Sequence, residues 1–473
     1  MTYLTNAPRW LFLAALVFAP WAYGATRPWT IQALDGIIAI VLILWLAGCV
    51  GRRKWPAVPW PLWTAALLLI AMGWFLIANA QATYDRVFFV FNPIKQLLPF
   101  APGVVDRVDA IPAMLNDTAM LGALCFVADL ATRAVWRVRI WWTAALNGIA
   151  LMIYGLGMKV LGIYITSILV PGSIGWDSFA FYFYHGNAGA YINLIMPLVG
   201  GLAAWAFMRQ DRQTERAIWV PGLLICIASS VVALSKGGMA IGLCLLIAMA
   251  VFFIRSMSGR SRLTMTRTHW IIVIVASVLV LGAMASLGWN AAATRWALLS
   301  SSSGKEESML SRWLVAKGCF RMMPDSGLWG FGPGNFRICF PHYANGLGDS
   351  VIAGEWYFAH DDYLQTIVEW GYVGALLYAW IFFGGIWTGF RRLRGLPLPE
   401  GDAVLLTVVL LALAGVAIHA LVDFPLQIAS LQLYAATYLG ICWASPTIEP
   451  PPAAPVRRRR VPVRRPEPSS GSV

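Results

Sequence analysis

Charged residues are scarce in this sequence. Asp, Glu, Lys and Arg make up 12% of its 473 residues, about half the fraction that is typical of a soluble globular domain. Hydrophobic residues make up 59% of the chain. This composition excludes an ordinary soluble protein and predicts a chain that lies within a lipid bilayer.

The sequence also lacks the motifs of a zinc site, of a nucleotide site and of a transporter with internal repeats. The seven cysteines form no C-x-x-C pair and no His/Cys spacing of the kind that binds zinc. Gly330, Gly332 and Gly334 alternate, but they follow no predicted strand and do not have the spacing of a dinucleotide fingerprint. We interpret these glycines as a tightly turning loop. No internal repeat is strong enough to indicate the inverted halves of a transporter.

The apolar residues form long runs. A spanning helix needs roughly 20 mostly apolar residues, because ~30 Å of hydrocarbon is crossed at ~1.5 Å per residue. Twelve such segments run approximately over 10–25, 31–50, 60–80, 114–132, 139–160, 187–207, 218–234, 237–254, 269–288, 364–386, 403–422 and 426–444. The first could be mistaken for a secretory signal, but the second follows almost at once, so we interpret it as a span. The sequence predicts an all-α polytopic membrane protein with about 12 transmembrane helices and a large loop between helices 9 and 10.

Positively charged residues are concentrated in the connections on one side of the predicted membrane domain. The net charge is +13, which in a soluble protein would raise the question of nucleic acid. Here a basic cluster follows every even-numbered span, beginning with Arg52, Arg53 and Lys54 after the second. The positive-inside rule then puts both termini in the cytoplasm, and no nucleic-acid partner is expected. The odd-numbered connections face the other side, which is the periplasm in a Gram-negative cell.

The long polar segment 289–363 lies on that outer side. Together with the spans it completes a membrane domain over residues 1–444, and residues 445–473 form a proline-rich, basic segment. We expect that segment to be a disordered cytoplasmic tail that rests on anionic membrane lipid. Cys319 and Cys339 lie 20 residues apart in the outer loop, in an oxidising compartment. We predict a disulfide between them, with two free thiols as the alternative.

One charge cluster stands where a hydrophobic helix begins. The segment Ala359–Gly371 reads A-H-D-D-Y-L-Q-T-I-V-E-W-G, so His360 and Asp361 precede the tenth span and Glu369 lies one to two turns inside it. Asp423 stands near the outer end of the eleventh span. Ionisable groups within membrane segments are candidates for function. The alternative for Glu369 and Asp423 is a pairing with nearby cations that involves no substrate.

Polar groups at two other span ends face the same side. Lys236 is the sole basic residue in the turn 233–238, on the face where the positive-inside rule disfavours it. Glycines beside it expose backbone N–H groups at a helix start, which favours anion binding over simple snorkelling of the side chain. His185 and Asn187 open the sixth span. For His185 a capping or packing role is the alternative to a catalytic one.

Several of these motifs together resemble the O-antigen ligase and Wzy-type polymerase family of bacterial inner-membrane glycan transferases. The matching segments are S-K-G at 235–237, S-R-W-L-V-A at 311–316, P-D-S-G-L-W-G-F-G-P-G-N-F at 324–336 and H-D-D-Y-L-Q-T-I-V-E-W-G-Y-V-G at 360–374, with a weaker match, N-A-G-A-Y, at 187–191. The resemblance is concentrated in residues 185–375. The layout of twelve spans with a large loop before the tenth extends it to the whole chain.

The resemblance implies a metal-independent transfer, without a cofactor, of a glycan from undecaprenyl diphosphate to an acceptor hydroxyl on the periplasmic side of the inner membrane. Arg312 and Lys236 would stabilise the charge of the leaving diphosphate. His360 would be the base that takes the acceptor proton. The further residues assigned to substrate binding are Asp361, Glu369, Asn187, His185 and Asp423.

The chain departs from the family pattern at two positions. Arginine is usual in the family where this chain has Lys236, and lysine binds phosphate as a point charge rather than as a two-pronged fork. Asp361 stands where asparagine is common in relatives. We expect Asp361 to orient the imidazole of His360, and a cation site formed by the His-Asp-Asp cluster is the alternative.

The acceptor is left open by the sequence. The D-F-P at 423–425 and the H-D-D-Y-L-Q form favour a polymerase of O-antigen or exopolysaccharide. Alternatives with the same chemistry are ligation to the lipid A core of lipopolysaccharide and transfer to a protein serine. The alternative of a different class is a lipid-linked sugar flippase or other transporter, which would place its charges along a cavity at the midplane rather than at one face.

Overall fold

The computed structural model describes residues 2–163, 178–209, 212–257, 271, 303–352, 354–395 and 398–445, and they are mostly helical. The helices, numbered in chain order, are α1 (Thr2–Trp21), α2 (Pro28–Gly51), α3 (Trp60–Ala78), α4 (Arg107–Leu130), α5 (Ala134–Val160), α6 (His185–Met208), α7 (Gln213–Val232), α8 (Lys236–Met257), α9 (Ser303–Ser326), α10 (Phe336–Tyr343), α11 (Asp349–Ile352), α12 (Asp362–Gly395), α13 (Glu400–His419) and α14 (Ala429–Trp443).

Within the described ranges, nine helices are long and apolar enough to cross a membrane. They are α2 to α8, α12 and α13. The prediction of a mostly helical, multi-pass membrane protein is confirmed. The first and twelfth predicted spans are helical, as α1 and the 15-residue α14, but neither is among the nine. The ninth predicted span, 269–288, lies outside the described residues except for Ile271, so the number twelve stays a prediction.

Helix α6 lies at the centre of the bundle. Almost all of its residues are buried, and it packs against α7, α8 and α13. Small residues allow this close packing, as is usual between membrane helices. A Cβ on Gly189 would lie 2.8 Å from the Ser235 Cβ and 3.2 Å from the Gly238 Cα. The Asn193 side chain also donates a 2.9 Å hydrogen bond to the Gly238 carbonyl. The start of α8, and with it Lys236, is therefore fixed against α6.

Two arginines tie several helices together at one end of the bundle. Arg137, near the start of α5, is 4% exposed and binds both carboxylate oxygens of Asp402 on α13, at 2.9 and 2.6 Å. Arg392, near the end of α12, donates to the Ala444 carbonyl after α14 at 2.8 Å. The start of α12 must lie at the opposite end, which we call the loop end because the segment 303–361 leads into it.

The loop helices α9 to α11 have a hydrophobic core of their own. It contains Val315, Cys319, Met322, Phe336, Cys339, Phe340, Ala344, Leu347, Val351, Ala359 and Val368. Cys319 and Cys339 are both buried there, and both are free thiols. The predicted disulfide is wrong, because the two side chains pack as small apolar groups in this core. Burial raises the pKa of each thiol to about 12, so both stay protonated.

Helix α12 is interrupted at Gly371, where φ is 63° and ψ is −176°. Only glycine adopts such a conformation readily. The break releases backbone groups from the helix, and residues 327–332 bind them. Leu328 accepts from the Val373 N–H at 3.1 Å, and Phe331 donates to the Val368 carbonyl at 3.0 Å. The backbone groups at the helix break and those of the loop therefore form hydrogen bonds with each other.

The alternating glycines make this contact possible. Gly330, Gly332 and Gly334 all have positive φ, so the predicted tight turning of the loop is confirmed. A Cβ on Gly330 would lie 2.2 Å from the Glu369 carbonyl oxygen, a distance that leaves no room for a side chain. The loop thus holds the first two turns of α12, which carry the charge cluster, in a fixed position.

The all-helical prediction missed one β-hairpin. Strands β1 (Ala82–Asp85) and β2 (Val90–Pro93) pair antiparallel between α3 and α4. The connection that follows packs on the glycine loop, since the Val105 N–H donates to the Phe331 carbonyl at 2.9 Å. Strands of four residues are too short for their alternation to stand out from the surrounding apolar sequence.

Candidate functional site

His360 lies between the loop and α12 in an unusual backbone conformation. Its φ is +55°, a region that non-glycine residues rarely occupy. The chain is held on both sides of His360. The Ala359 N–H donates to the Gln365 side chain at 3.0 Å, and the Asp362 N–H donates to the Ala420 carbonyl at 2.9 Å. These bonds direct the imidazole toward the turn 420–424 that follows α13.

Asp361 caps the start of α12. Its Oδ1 accepts hydrogen bonds from the N–H groups of Tyr363 and Leu364, both at 3.0 Å. Aspartate is a preferred residue for this position because it satisfies N–H groups that have no partner inside the helix. The expectation that Asp361 orients the imidazole is therefore wrong. Its carboxylate is engaged by the helix start, and the imidazole is held by another aspartate.

That aspartate is Asp423, which is 5% exposed. Its Oδ1 lies 3.1 Å from Nδ1 of His360 and accepts from the Phe424 N–H at 3.1 Å. Its Oδ2 accepts from the Tyr184 hydroxyl at 3.0 Å. One carboxylate thus joins the start of α12, the turn after α13 and the start of α6.

The surroundings keep Asp423 ionised. Burial acts to raise its pKa, but the hydrogen bond from His360 and the positive charges of His360, Arg312 and His419 outweigh it, so that the pKa of Asp423 is lowered below its ordinary value. Nε2 of His419 lies 3.9 Å from the carboxylate Oδ2.

Arg312 reaches the same cluster from α9. Its guanidinium donates to the Tyr184 hydroxyl at 3.0 Å and to the Val422 carbonyl at 2.9 Å. Burial, followed by the charge of Asp423, raises the pKa of Tyr184 well above its ordinary value. Tyr184 therefore stays protonated, donates to Asp423 and accepts from Arg312. A continuous chain of hydrogen bonds links Arg312 to His360.

The start of α8, which carries Lys236, lies close to the same turn. Lys236 is exposed. A Cβ on the next residue, Gly237, would lie 3.7 Å from Nε2 of His419 and 3.9 Å from the Val422 side chain. The residue after Lys236 and the guanidinium of Arg312 therefore both lie close to Val422 in the turn 420–424.

His185 and Asn187 lie in the first turn of α6, directly after Tyr184. The His185 ring centroid lies 4.6 Å from that of Tyr184, and Asn187 is 4% exposed. Tyr184 bonds directly to the cluster from this end of α6. The sequence reasoning missed Tyr184 because it is one of several aromatic residues in F-A-F-Y-F-Y, and nothing in that run singles out a hydroxyl that binds two charged partners.

Aromatic rings enclose the imidazole of His360. The ring centroid of Phe424 lies 4.7 Å from the imidazole centroid, with the ring planes at 78°. Trp356 lies 5.6 Å away in a similar edge-on arrangement. Tyr184 and Phe358 in turn stack on Phe424. These rings lower the local dielectric constant and so strengthen the hydrogen bond between His360 and Asp423.

Glu369 is separate from this cluster. Its carboxylate accepts from the Phe336 N–H at 3.1 Å and from the Gln365 side chain at 3.3 Å, and it is 5% exposed. It fastens α10 to α12 just before the break at Gly371. It also lines a cavity on the side of α12 that carries Asp362. Among the residues that the structure describes, no group of three His, Cys, Asp or Glu side chains could hold a metal ion.

Residues 221–379 match the family model described as O-antigen ligase. No curated protein sequence matches the chain. The resemblance expected from the sequence is thus confirmed over this stretch, which contains Lys236, Arg312, His360 and Glu369. Asp423 and Tyr184 lie outside it. The match supports a function of the O-antigen ligase or polymerase type in a membrane protein.

Proposed function

We propose that this chain, similar to the O-antigen ligases over residues 221–379, is a metal-independent glycosyltransferase of the bacterial inner membrane. Its donor is a glycan linked to undecaprenyl diphosphate, and its acceptor is a hydroxyl group. The loop end faces the periplasm and both termini lie in the cytoplasm, as the basic clusters after the even-numbered spans favour. The observation that carries the proposal is the chain of hydrogen bonds from Arg312 through Tyr184 and Asp423 to His360.

His360 acts as the general base. Its Nδ1 faces Asp423 at 3.1 Å, so we assign the Nδ1 proton to that bond and leave Nε2 for the acceptor hydroxyl. As the hydroxyl oxygen bonds to the anomeric carbon of the donor sugar, its proton passes to Nε2. The resulting imidazolium is stabilised by the ionised carboxylate of Asp423. The same arrangement, in which a buried aspartate orients a histidine base, occurs in many enzymes.

Arg312 and Lys236 bind the leaving group. When the bond between the anomeric carbon and the diphosphate oxygen breaks, that oxygen keeps the electron pair and the diphosphate gains negative charge. Cations already in position stabilise this charge as it forms. The guanidinium of Arg312 is held by two hydrogen bonds, so it does not need to be ordered during the reaction. Lys236 is exposed and adds a point charge.

The proposal is tested with full-length protein in nanodiscs, supplied with undecaprenyl-diphosphate glycan in the presence of a chelator. We expect product formation that persists with the chelator and falls at least a hundredfold in Arg312→Ala. Lys317→Ala, an exposed cation on the same helix, is the matched control and should stay near wild type. Loss of transfer on chelation would refute metal independence, and normal transfer by Arg312→Ala would remove Arg312 from the site.

The same experiment separates the alternatives. We propose polymerisation ahead of ligation, so the product should be a ladder of repeating units when donor alone is supplied. A single addition that requires lipid A core would identify a ligase instead. Movement of the donor across the bilayer without a new glycosidic bond would identify a transporter.

A further inference from the structure

We propose that the connection between α3 and α4 is a lipid-binding surface, whose β-hairpin rests its apolar tip in the bilayer leaflet at the loop end, beside anionic headgroups. Strands β1 and β2 form the hairpin, and the four residues between them, 86–89, form its tip. The inference goes beyond the proposed function and does not rest on it.

Apolar side chains cover the tip and the segment that follows it. Val87, Phe88 and Phe89 are 78%, 74% and 76% exposed. Eight large apolar side chains are exposed between residues 87 and 100. Single apolar residues on a surface are common, but an accumulation of this kind marks a contact with another protein or with a membrane.

The tip is a defined turn. Oδ1 of Asp85 accepts hydrogen bonds from the N–H groups of Val87 and Phe88, at 2.8 and 3.1 Å. The φ of Phe89 is +55°, which residues other than glycine rarely adopt. The apolar side chains are therefore presented by a turn whose own hydrogen bonds shape it.

The base of the hairpin is fastened to the loop end. The Tyr84 N–H donates to Oδ1 of Asp106 at 2.7 Å. Arg86 donates to Oδ1 of Asp109 at 2.5 Å, and the same oxygen accepts from Arg337 of α10 at 2.7 Å. The hairpin and the loop end are thus joined, so a contact at the tip also positions the loop end.

The hairpin begins and ends where two spanning helices end. α3 and α4 are both long and apolar enough to cross the membrane, and the connection joins the end of α3 at Ala78 to the start of α4 at Arg107. Each strand has four residues, which is about 14 Å at ~3.4 Å per residue. A hairpin of this length can lay its tip on the bilayer surface.

Backbone hydrogen bonding limits how deeply the hairpin can enter. A sheet of two strands leaves N–H and C=O groups along its outer edges without partners in the sheet, and hydrocarbon provides none. Valine and phenylalanine side chains can still be buried ~5–10 Å deep, at the boundary between headgroups and acyl chains. We therefore assign the tip to that boundary rather than to the hydrocarbon core.

The charges beside the tip select the partner. Arg86, Lys95 and Arg107 are exposed, whereas the acidic residues of the connection, Asp85 and Asp106, are half-buried and buried. Basic residues beside an apolar surface favour anionic lipid headgroups. They disfavour a second copy of the chain, because in a symmetric dimer the surface meets itself and the basic residues would face one another.

The test replaces Phe88 by the photoreactive p-benzoylphenylalanine in the full-length protein and irradiates the membranes of the cells that produce it. The mass of the purified adduct identifies the neighbour of the tip. We expect the addition of one phospholipid, as at Trp380, which is exposed on the spanning helix α12. His342, exposed near the polar residues Arg321 and Asn345, is the second control and should give about tenfold less lipid adduct.

Three results would overturn the inference. They are an adduct with a second copy of the chain, an adduct with another protein, and a lipid adduct at Phe88 no more abundant than at His342.

A second measurement tests the preference for anionic headgroups. Protein with the photoreactive group at position 88 is irradiated in nanodiscs of mixed phosphatidylcholine and phosphatidylglycerol. The adduct should contain phosphatidylglycerol at about twice its share of the mixture or more, and Lys95→Gln should reduce this excess. Lys317→Gln, which changes an exposed cation on α9, is the matched control and should keep it. Phosphatidylglycerol at its share of the mixture in all three proteins would overturn the assignment of anionic headgroups.

Discussion

Nδ1 of His360 lies 3.1 Å from Oδ1 of Asp423, although the two residues are 63 positions apart in the sequence. The same carboxylate accepts from the Tyr184 hydroxyl, which accepts in turn from Arg312. The proposed base and the proposed diphosphate ligand therefore share one buried anion. A change to that anion should affect both.

Asp423→Asn should lower kcat by a factor on the order of 10² to 10⁴, because an amide neither fixes the imidazole tautomer nor stabilises the imidazolium. The measurement is the steady-state rate of glycan transfer over a range of donor concentrations. Asp325→Asn, at an exposed position of the same loop end, should retain the wild-type rate. Equal rates for wild type and Asp423→Asn would exclude a role for this carboxylate in the reaction.

The lowered pKa of Asp423 also predicts how stability depends on pH. A carboxyl group with a depressed folded-state pKa stabilises the fold above its unfolded value, and that contribution is lost as pH falls through the folded pKa. The ordinary value is 3.8. The difference in melting temperature between wild type and Asp423→Asn should shrink as the pH falls below about 4 and through the lowered pKa of Asp423. A difference that grows on acidification would contradict the lowered pKa.

Tyr184→Phe should separate Arg312 from Asp423 while keeping the ring that stacks on Phe424. The change removes two charge-assisted hydrogen bonds, each worth about 1.5–3 kcal/mol, so transfer should fall at least roughly tenfold to a hundredfold. Tyr23→Phe, in the short turn after α1, is the matched control and should keep full activity. If Tyr184→Phe is as active as its control, the hydroxyl does not connect the two charged groups.

Gly371→Ala should destabilise the protein by about 3 kcal/mol or more, because alanine is strained at positive φ. The added Cβ would also lie 2.3 Å from the Leu328 carbonyl group. Gly36→Ala is the matched control, since that glycine lies in α2 with nothing within 4 Å of an added Cβ and alanine favours a helix. Thermal unfolding in nanodiscs measures both. A similar melting temperature for the two variants would mean that the break in α12 tolerates a side chain.

Cys319 and Cys339 should behave as two buried thiols. In folded protein without reductant neither should react with a thiol reagent, because burial keeps both protonated. After unfolding, still without reductant, both should be labelled, which mass spectrometry of the two peptides can measure. Detection of the two peptides linked by a disulfide would contradict the two free thiols seen in the structure.

The spans were predictable because each depends on local composition. Hydrophobic runs identified α2 to α8, α12 and α13 to within a few residues at most boundaries, and His360, Arg312 and Lys236 were recognised by motif. Two features could not be found in this way. The pairing of His360 with Asp423 arises when distant segments meet, so the neighbouring Asp361 seemed the natural partner. The break at Gly371 lies within a continuous apolar pattern, and only its contact with the loop 327–332 reveals it.

The role of His360 as the base is the central claim, and one measurement tests it most directly. Glycan transfer from undecaprenyl diphosphate is measured with the purified wild type and with His360→Gln. Glutamine is polar and of similar length to histidine, but its amide cannot take up a proton near neutral pH. The account predicts a fall in kcat of at least a hundredfold, with pyrophosphate binding at Arg312 and Lys236 retained. Transfer by His360→Gln at a rate close to wild type would contradict it.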